Sequence, residues 1–554
     1  MQGLKIFWVL FSICFSLFTN AQNNLRKTID SILKIYDTNN EPGLSIRVIK
    51  QDSIVYSKSF GVANLDYNIK NTDSTIFSLG SISKQFTAAA IWSLIRDSKL
   101  SLEDNITSFF PDFPNYGRPI KIKHLLNHSS GIRNYHTTMF LSGFDYNNDY
   151  YDNTYVLNLV KRQKNLNNHP GEKIIYSNTN YNLLALIIEQ VSNQNLDEYL
   201  KDKILKPLGM KDTFVRISHG TIVKNKAVGY QKQKDTYVFN SSNQLSYGAG
   251  SMGSHIKDMN IWMRMLNGDI LEFKTLAQFL KTTEVLTSKQ KAKYARGIMV
   301  DDYKGYKTLS HSGYGFGNQS HIITVPKEKI GIVILTNLES INPTPISYEI
   351  LDLLLVSEEN IKPNLIEDKI SFEPQDLILF TGDYREINSD MTMRISEEND
   401  TLKAQGSMGN SKIPLLQNNT NEFVRRDAQN VKYNFEKTSH YDMVISFGGT
   451  PFYFKRANLI NTNPENLIDY CGEFYSEELQ TTYHFYIDKD QLKLSYKNNT
   501  AIALYPIEID AFGNKDRTLY QFVKTKDSSE ITGMFLSCDG QVSNIEFTKD
   551  QTQD

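Results

Sequence analysis

Residues 77–97 of the chain read FSLGSISKQFTAAAIWSLIRD. From Ser81 onward this stretch holds strong helix formers without proline or glycine, and its apolar residues cover most faces, which predicts a buried helix. Ser81 lies at the predicted helix start, and Lys84 follows on the same face one turn later. A desolvated lysine can accept a hydroxyl proton, and N–H groups at a helix start can stabilise an oxyanion. The ordinary alternative for such a serine is a helix cap.

A second motif lies in residues 170–181, PGEKIIYSNTNY, ahead of a helical pattern over residues 182–192. Tyr176 and Asn178 are expected in the loop just before that helix. A tyrosine there could serve as a general base, and an asparagine amide could hold both a lysine and a substrate carbonyl. The alternative is a tyrosine packed on the core and an asparagine that caps the helix.

A third motif is LSHSGY at residues 309–314, which precedes a predicted strand hairpin over residues 320–336. A strand with a polar residue and a small Ser-Gly pair allows a substrate backbone to lie alongside it as an extra strand. The N–H of Tyr314 would share an oxyanion hole with the N–H of Ser81. The alternative is a sheet edge with a structural histidine, His311.

Taken in order, SISK (81–84), YSN (176–178) and HSG (311–313) resemble the S-x-x-K, Y-x-N and [KH]-[ST]-G motifs of class C β-lactamases and serine DD-peptidases. Two accessory segments, HLLNHSSG (124–131) and GAGSMG (248–253), also resemble that family. Three motifs in the expected order are far more specific than any one of them.

The resemblance covers about residues 25–357 and implies a serine acyl-enzyme that needs neither metal nor organic cofactor. Carried over by position, Ser81 attacks the substrate and Lys84 assists its deprotonation. Tyr176 shuttles the proton to the leaving group and activates the deacylating water. The residues implied to bind substrate are Asn178, His311, Ser312, Gly313 and Tyr314.

The chain departs from class C β-lactamases at His311, where those enzymes have lysine. An imidazole that is neutral or half charged binds a β-lactam carboxylate less firmly than a permanent ammonium. We therefore expect a hydrolase of D-amino-acid peptides, amides or small esters, with loops such as residues 133–152 setting the substrate. The alternatives are a true class C β-lactamase and a non-catalytic protein that binds cell wall or glycans.

The expected fold class is α+β: a β-lactamase/DD-peptidase-like domain with an antiparallel sheet built from both its ends, flanked by helices, and a helical subdomain. Two small all-β, lipocalin-like repeats are expected to follow, because FTGDY (380–384) recurs as YCGEF (470–474). The predicted boundaries are a signal peptide at 1–21, the catalytic domain at 22–357, a linker at 358–374 and repeats at 375–457 and 463–552.

The N-terminus predicts export. Lys5 precedes the apolar run 6–18, and Ala21 supplies a small residue for cleavage, which is the pattern of a signal peptide. The expected location is therefore secreted or periplasmic. A buried N-terminal helix is the alternative, and no other stretch is apolar enough to predict a transmembrane segment.

The charge composition limits the classes of partner that the protein is expected to bind. Sixty Lys and Arg residues balance 62 Asp and Glu residues for a net charge of −2, which excludes a nucleic-acid footprint. A small molecule or peptide is the expected substrate, and the oligomeric state stays open. Once Cys14 leaves with the signal peptide, Cys471 and Cys538 could form a disulfide or remain free thiols.

Three further sequence patterns are weaker indications of function than the three motifs above. The glycines of residues 248–253 match a dinucleotide fingerprint but no βαβ unit surrounds them. Ser251 imitates a nucleophile elbow, yet the chain lacks the alternating βα pattern of that fold. His124 and His128 stand four residues apart without the glutamate of a zinc-protease motif, so structural packing is expected for both.

Overall fold

The computed structural model describes residues 23–355 and 377–550, except 52, 147, 241–242, 288, 290, 408–410, 427, 448–449, 461–463, 515 and 526–529. The predicted signal peptide (1–21) and linker (358–374) lie outside the described residues. Two compact units are present. Of the described residues, those within 23–99, 188–282 and 295–355 belong to the first unit, and those within 100–187, 283–294 and 377–550 belong to the second. Among the described residues, no helix combines the length and apolarity needed to cross a membrane.

The first unit is built on a six-stranded antiparallel sheet that joins both ends of its sequence. The N-terminal strand Leu44–Lys50 pairs with the late strand Ile330–Thr336 on one side and with Ser53–Phe60 on the other. This pairing confirms the predicted sheet. Every residue of Ile330–Thr336 is buried, which explains its continuous apolar sequence IGIVILT. In spatial order the strands are Met299–Tyr303, Tyr306–Gly315, Asn318–Val325, Ile330–Thr336, Leu44–Lys50 and Ser53–Phe60.

Helices and short strands complete the first unit. Its helices are residues 23–33, Ser83–Arg96, Leu196–Leu200, Lys206–Leu208, Ile256–Asn267, Lys274–Leu280 and Pro343–Leu355, with 3-10 turns at Lys34–Tyr36, Gly80–Ile82, Leu271–Phe273 and Pro326–Glu328 and a π turn at Lys201–Leu205. Its short strands are Val62–Asn64, Ile69–Lys70, Phe77–Ser78, Phe214–Val215, Tyr230–Gln233, Thr236–Phe239, Gln244–Leu245 and Met252–Ser254.

The second unit combines helices from the middle of the sequence with all the C-terminal strands. Its helices are Ile122–Leu126, Tyr135–Leu141, Asn153–Val160 and the beginning of Asn178–Ser192, with 3-10 turns at Ile106–Ser108 and Leu467–Tyr470 and a short strand at Tyr151–Asp152. Leu141 belongs to the same hydrophobic core as Phe474, Tyr483 and Leu536, so the helix Tyr135–Leu141 packs on the last β region.

The C-terminal strands form a closed barrel and then a nine-stranded sheet, in agreement with the two predicted all-β repeats. The barrel strands are Gly382–Glu386, Thr392–Glu397, Leu402–Gly406, Ile413–Gln417, Glu422–Arg425, Ala428–Asn434, Met443–Phe447 and Thr450–Arg456. The sheet strands are Gly472–Ser476, Thr481–Asp488, Gln491–Tyr496, Asn499–Ala503, Tyr505–Glu508, Ala511–Gly513, Thr518–Lys524, Ile531–Cys538 and Val542–Lys549. Cys471 and Cys538 are free thiols, so these two residues do not form a disulfide.

The repeated motif has the same local role in both β regions. Gly382 and Gly472 have φ of 142° and 127°, and a Cβ at Gly382 would lie 2.8 Å from Arg456 Nη1. The Arg456 guanidinium covers the ring of Tyr384 at 5.1 Å, and Lys549 covers the ring of Phe474 at 5.8 Å. The glycine therefore leaves room for a basic side chain that stacks on the aromatic residue two positions later.

Candidate active site

Ser81 and Lys84 face each other at the start of the predicted helix. Ser81 lies in the 3-10 turn Gly80–Ile82, and the α-helix begins at Ser83, two residues later than predicted. Lys84 Nζ lies 2.9 Å from Ser81 Oγ. Lys84 is fully buried, whereas Ser81 is only partly buried. The hydroxyl can therefore meet a substrate while the amine stays out of water.

The environment of Lys84 favours an uncharged amine. Burial lowers the pKa of Lys84 well below 10.5, because an ammonium group loses its hydration there. Its Nζ donates a hydrogen bond to the carbonyl of Ala249 at 2.8 Å, and Thr87 Oγ1 donates to the carbonyl of Gly248 at 2.8 Å. The glycine-rich turn thus orients Lys84 through backbone carbonyls. A neutral amine held in this way has a lone pair with which to accept the Ser81 proton.

Two backbone segments meet beside Ser81. A Cβ at Gly80 would lie 2.6 Å from the backbone nitrogen of Tyr314, and a Cβ at Gly313 would lie 3.0 Å from the backbone nitrogen of Ser81. Ser320 Oγ donates to the carbonyl of Leu79 at 2.8 Å and holds the contact. Both glycines are required by this close approach. The arrangement places the Ser81 and Tyr314 nitrogens where two N–H groups could stabilise one oxyanion.

The strand Tyr306–Gly315 presents an open edge next to that contact. It pairs with Met299–Tyr303 only as far as Ser310, and among the described residues no strand continues the pairing on that side. Gly313 is buried there, whereas Ser312 is exposed. An extended substrate could pair with such an edge through backbone hydrogen bonds.

His311 is a neutral imidazole with a defined tautomer. Its Nδ1 lies 2.6 Å from the carbonyl of Ser312 and therefore carries the proton, because a carbonyl can only accept. Burial is the main cause that lowers the pKa of His311 to about 3, although the hydrogen bond to Ser312 opposes it. This position therefore does not supply the permanent cation that a lysine would.

Tyr176 and Asn178 lie in the second unit. The Tyr176 ring is partly buried, with its centroid 4.4 Å from the ring of His128 and 5.9 Å from that of Tyr294. Asn178 is the first residue of the helix Asn178–Ser192, so the predicted helix start at residue 182 was wrong by one turn. The backbone N–H of Asn178 donates to Asn134 Oδ1 at 3.1 Å.

Residues around position 130 hold this motif in place. Ser177 Oγ and Thr179 Oγ1 both donate to the carbonyl of Arg133, at 3.1 and 2.7 Å. The backbone N–H of Ser177 donates to Nδ1 of the buried His128 at 3.3 Å. His128 therefore acts through packing and hydrogen bonding, as expected from the sequence.

Arg133 and Asn134 were missed by the sequence analysis. The Arg133 guanidinium lies 3.1 Å from Glu478 Oε1, and the two side chains are only 1% and 4% exposed. Arg133 Nη2 also donates to the carbonyl of Ser543 at 2.7 Å. Their partners in the C-terminal β region lie more than 300 positions along the chain, and no local pattern connects residues so distant. Residues 133–152, expected as substrate loops, thus include a helix and a buried anchor.

The weaker candidates have structural explanations. Ser251 has φ of 66°, but its Oγ donates to the carbonyl of Ser246 at 2.7 Å, and the strand Met252–Ser254 follows it instead of the helix of a nucleophile elbow.

Asp212, His255 and Asp258 place possible metal-ligating atoms within 4.8 Å of one another. His255 Nδ1 accepts the backbone N–H of Asp258 at 3.0 Å, Thr213 Oγ1 donates to Asp258 at 2.8 Å, and His255 Nε2 lies 3.1 Å from Asp212. These hydrogen bonds cap the helix Ile256–Asn267 and account for the cluster.

The sequence matches the Beta-lactamase family over residues 25–356, and the chain belongs to that family within the serine hydrolase superfamily. It is 30% identical over 328 residues to Protein flp of Staphylococcus aureus (strain MW2), and the match covers 57% of this chain and 64% of that protein. It is 25% identical over 299 residues to a D-aminopeptidase of Gluconobacter oxydans (strain 621H), covering 53% of this chain and 56% of that protein.

The chain thus spans less than two thirds of the length of either relative. Among solved structures, it resembles the octameric penicillin-binding protein homologue from Pyrococcus abyssi with a TM-score of 0.53 and 23% identity. That similarity covers 86% of this chain and 98% of the homologue, and it shows a shared fold.

Proposed function

We propose that the chain is an exported serine hydrolase that forms an acyl-enzyme on Ser81 and acts on D-amino-acid peptides, amides or small esters. The observation that carries this proposal is the 2.9 Å approach of the buried Lys84 amine to Ser81 Oγ. A serine at a helix cap needs no such partner, whereas a serine nucleophile does.

The reaction begins with proton transfer from Ser81 Oγ to the neutral Lys84 amine as the oxygen attacks the substrate carbonyl. The tetrahedral oxyanion accepts hydrogen bonds from the N–H groups of Ser81 and Tyr314. As the intermediate collapses, the leaving amine or alkoxide takes a proton and departs, which leaves an ester on Ser81. Water then attacks the ester and releases the acid with regeneration of the hydroxyl.

Tyr176 and Asn178 receive their roles from the order of the motifs. In this proposal the Tyr176 hydroxyl transfers the proton to the leaving group and activates the deacylating water. The Asn178 amide binds the substrate amide. The packing of the Tyr176 ring against His128 and Tyr294 supports a fixed position for its hydroxyl.

The neutral His311 favours peptides, amides or esters over β-lactams. A substrate carboxylate is held best by a permanent positive charge, and a histidine whose pKa is near 3 supplies none at neutral pH. The similarity to a D-aminopeptidase supports D-amino-acid substrates in the same sense.

A substrate panel tests the proposal. D- and L-alanyl p-nitroanilide, an acyl ester, nitrocefin and benzylpenicillin are incubated with the wild type and with Ser81→Ala. The expected result is Ser81-dependent hydrolysis of the D-anilide or the ester, with slow or absent β-lactam turnover. Faster turnover of nitrocefin than of every other compound would instead assign a β-lactamase, and no turnover at all would favour a binding protein.

Export has its own test. Expression of the full chain with its N-terminus, followed by N-terminal sequencing of the mature protein, should find Gln22 as the first residue. A mature protein that still begins at Met1 would contradict export by a cleaved signal.

A further inference from the structure

A two-residue hairpin turn of the last sheet reaches the residues that hold the Tyr176 motif. It joins the strands Ile531–Cys538 and Val542–Lys549 through Asp539, Gly540 and Gln541, with Asp539 and Gly540 at the two central positions of the turn. Both turn residues have positive φ, 54° and 66°, and the Gln541 N–H donates to the carbonyl of Cys538 at 3.1 Å. This is the pattern of a type I′ turn, whose geometry leaves little freedom to the residue that follows.

Gln541 follows that turn and contacts the second unit's helical part. Its side-chain Oε1 accepts hydrogen bonds from Asn134 Nδ2 and, at 3.3 Å, from Thr137 Oγ1. Its backbone carbonyl accepts from Asn167 Nδ2 at 2.7 Å. Asn167 Oδ1 in turn accepts the backbone N–H of Ser543 at 2.9 Å. Gln541 is therefore fixed by both its main chain and its side chain.

The Asn134 amide links Gln541 to the motif. Its Nδ2 donates to Gln541 Oε1, while its Oδ1 accepts the backbone N–H of Asn178 at 3.1 Å. An amide group has one donor end and one acceptor end. If it rotated by half a turn, an NH₂ group would face the Asn178 N–H and an oxygen would face Gln541 Oε1. The acceptor on Gln541 and the N–H of Asn178 thus favour the same orientation of the Asn134 amide.

The hairpin turn also contacts the barrel. The Gly540 N–H donates to the carbonyl of Asn388 in the barrel at 3.4 Å, and a Cβ at Gly540 would lie 3.3 Å from the ring of Phe452. The buried pair of Arg133 and Glu478 connects the same sheet to the residue before Asn134. The turn therefore rests on the barrel while its next residue supports Asn134.

We propose that Gln541 is a positioning residue for the hydrolytic reaction, and that it acts through Asn134 on the helix start at Asn178. This inference rests on the proposed function, in which Tyr176 and Asn178 take part in the reaction. It makes the C-terminal sheet a working part of the enzyme, because a residue outside the family match at 25–356 orients one of the family's motifs.

Three variants test the proposal. Gln541→Leu removes the acceptor, and Gln541→Glu keeps an oxygen in reach of Asn134 Nδ2. Gln491→Ala is the matched control, because Gln491 is a half-buried glutamine of the same sheet whose side chain donates to the nearby Leu504 carbonyl at 3.5 Å. On the substrate that the wild type hydrolyses fastest, Gln541→Leu should lower kcat about tenfold with KM changed less than about twofold. Gln541→Glu should recover most of kcat, and Gln491→Ala should match the wild type.

Hydrogen exchange of the peptide that contains Asn178, followed by mass spectrometry, provides a readout that needs no substrate. Gln541→Leu should speed exchange of that amide, whereas Gln491→Ala should not. If Gln541→Leu fails to fold, Asn134→Asp replaces it, because the aspartate still accepts the Asn178 N–H but no longer donates to Gln541.

The outcomes separate the two proposals. A wild type without turnover would contradict the proposed function, while the exchange experiment would still decide whether Gln541 controls Asn178. A wild-type kcat in Gln541→Leu, or unchanged exchange at Asn178, would overturn the positioning role. An equal loss of kcat in Gln541→Glu would also overturn it, since the retained acceptor should rescue.

Discussion

The surroundings of Ser81 and those of Tyr176 are built in different ways. Ser81 and Lys84 are held by Ala249, Gly313 and Ser320, all within the segment that matches the family. The Tyr176 motif is held by His128, Arg133 and Asn134, and the last two contact the side chains of Glu478 and Gln541 in the C-terminal β region. Ser81 and Lys84 are supported from within the family segment, whereas the Tyr176 motif also depends on the C-terminal β region.

The comparison distinguishes the residues that react from the residues that hold them in place. The groups that react can be recognised because each motif is short and contiguous in sequence. The supports of Tyr176 include Glu478 and Gln541, which contact Arg133 and Asn134 across most of the chain. We therefore expect changes near Ser81 to act on chemistry, and changes at the β-sheet contacts to act on stability and positioning together.

The largest expected effect comes from the nucleophile. Ser81→Ala should lower kcat/KM by about 10⁴-fold or more, because no other hydroxyl takes its place. The control is Ser251→Ala, which removes the rival serine whose Oγ is bonded to the Ser246 carbonyl. Steady-state assays of both variants decide between them, and loss of activity in Ser251→Ala alone would reverse the assignment.

The second-largest loss of activity is expected on replacement of Lys84. Lys84→Met should lower the acylation rate about 10²- to 10⁴-fold, the usual contribution of a general base. In the wild type the acylation rate should rise with pH as Lys84 loses its proton, and it should level off well below pH 10.5, since burial lowers that pKa. Lys99→Met, at an exposed lysine close after the same helix, serves as the control. A rate that still rises above pH 10.5 would contradict a lowered pKa of Lys84.

The buried ion pair between Arg133 and Glu478 tests how the Tyr176 motif is held in place. Arg133→Met removes the buried ion-pair partner of Glu478 and the hydrogen bond from Arg133 to the Ser543 carbonyl, which should reduce the free energy of unfolding by about 3–5 kcal/mol. The double variant Arg133→Met/Glu478→Leu should recover much of that loss. Urea unfolding measures both.

An exposed ion pair provides the control for that experiment. Lys164 lies 2.6 Å from Glu477, but the two side chains are 51% and 75% exposed. Lys164→Met should therefore shift the unfolding midpoint far less than Arg133→Met. Equal shifts would remove the distinction between a buried anchor and a surface contact.

The smallest expected effect is a pH dependence of stability. Burial raises the pKa of Glu386 from 4.5 to about 7, against the lowering effect of hydrogen bonds from Ser389 and Asn388. A carboxyl with a raised pKa binds its proton more tightly when folded, so this contribution to stability is lost as pH rises from 4.5 to 7. The loss is at most about 3 kcal/mol.

Glu386→Gln should remove that loss, so its urea midpoint should change less than that of the wild type between pH 5 and pH 8. Glu436→Gln, at an exposed position of the same barrel region, should keep the wild-type dependence. The same pH dependence in both variants would contradict the raised pKa of Glu386.

Much of the fold and of the Ser81 surroundings could be predicted from sequence. Continuous apolar strands such as Ile330–Thr336 and the three-residue spacing of Ser81 and Lys84 are local signals with direct structural meaning. The repeated glycine motif of residues 380–384 and 470–474 likewise marks a local stacking arrangement.

The remainder escaped prediction for identifiable reasons. The helix that begins at Asn178 starts with polar residues, and buried Thr179 and Asn180 are satisfied by hydrogen bonds to Arg133 and Ser130, so apolar periodicity misses the first turn. The contacts of Arg133 and Asn134 with the last sheet depend on tertiary structure, and no spacing rule encodes them.

Peptide mass spectrometry can detect the proposed acyl-enzyme on Ser81 itself. The wild type and Ser81→Ala are mixed with a D-alanyl ester, quenched in acid within milliseconds to seconds and digested with trypsin. We expect the acyl mass on the peptide of residues 71–84, which contains Ser81, in the wild type alone. The acyl group on another residue, or ester turnover that persists in Ser81→Ala, would contradict it.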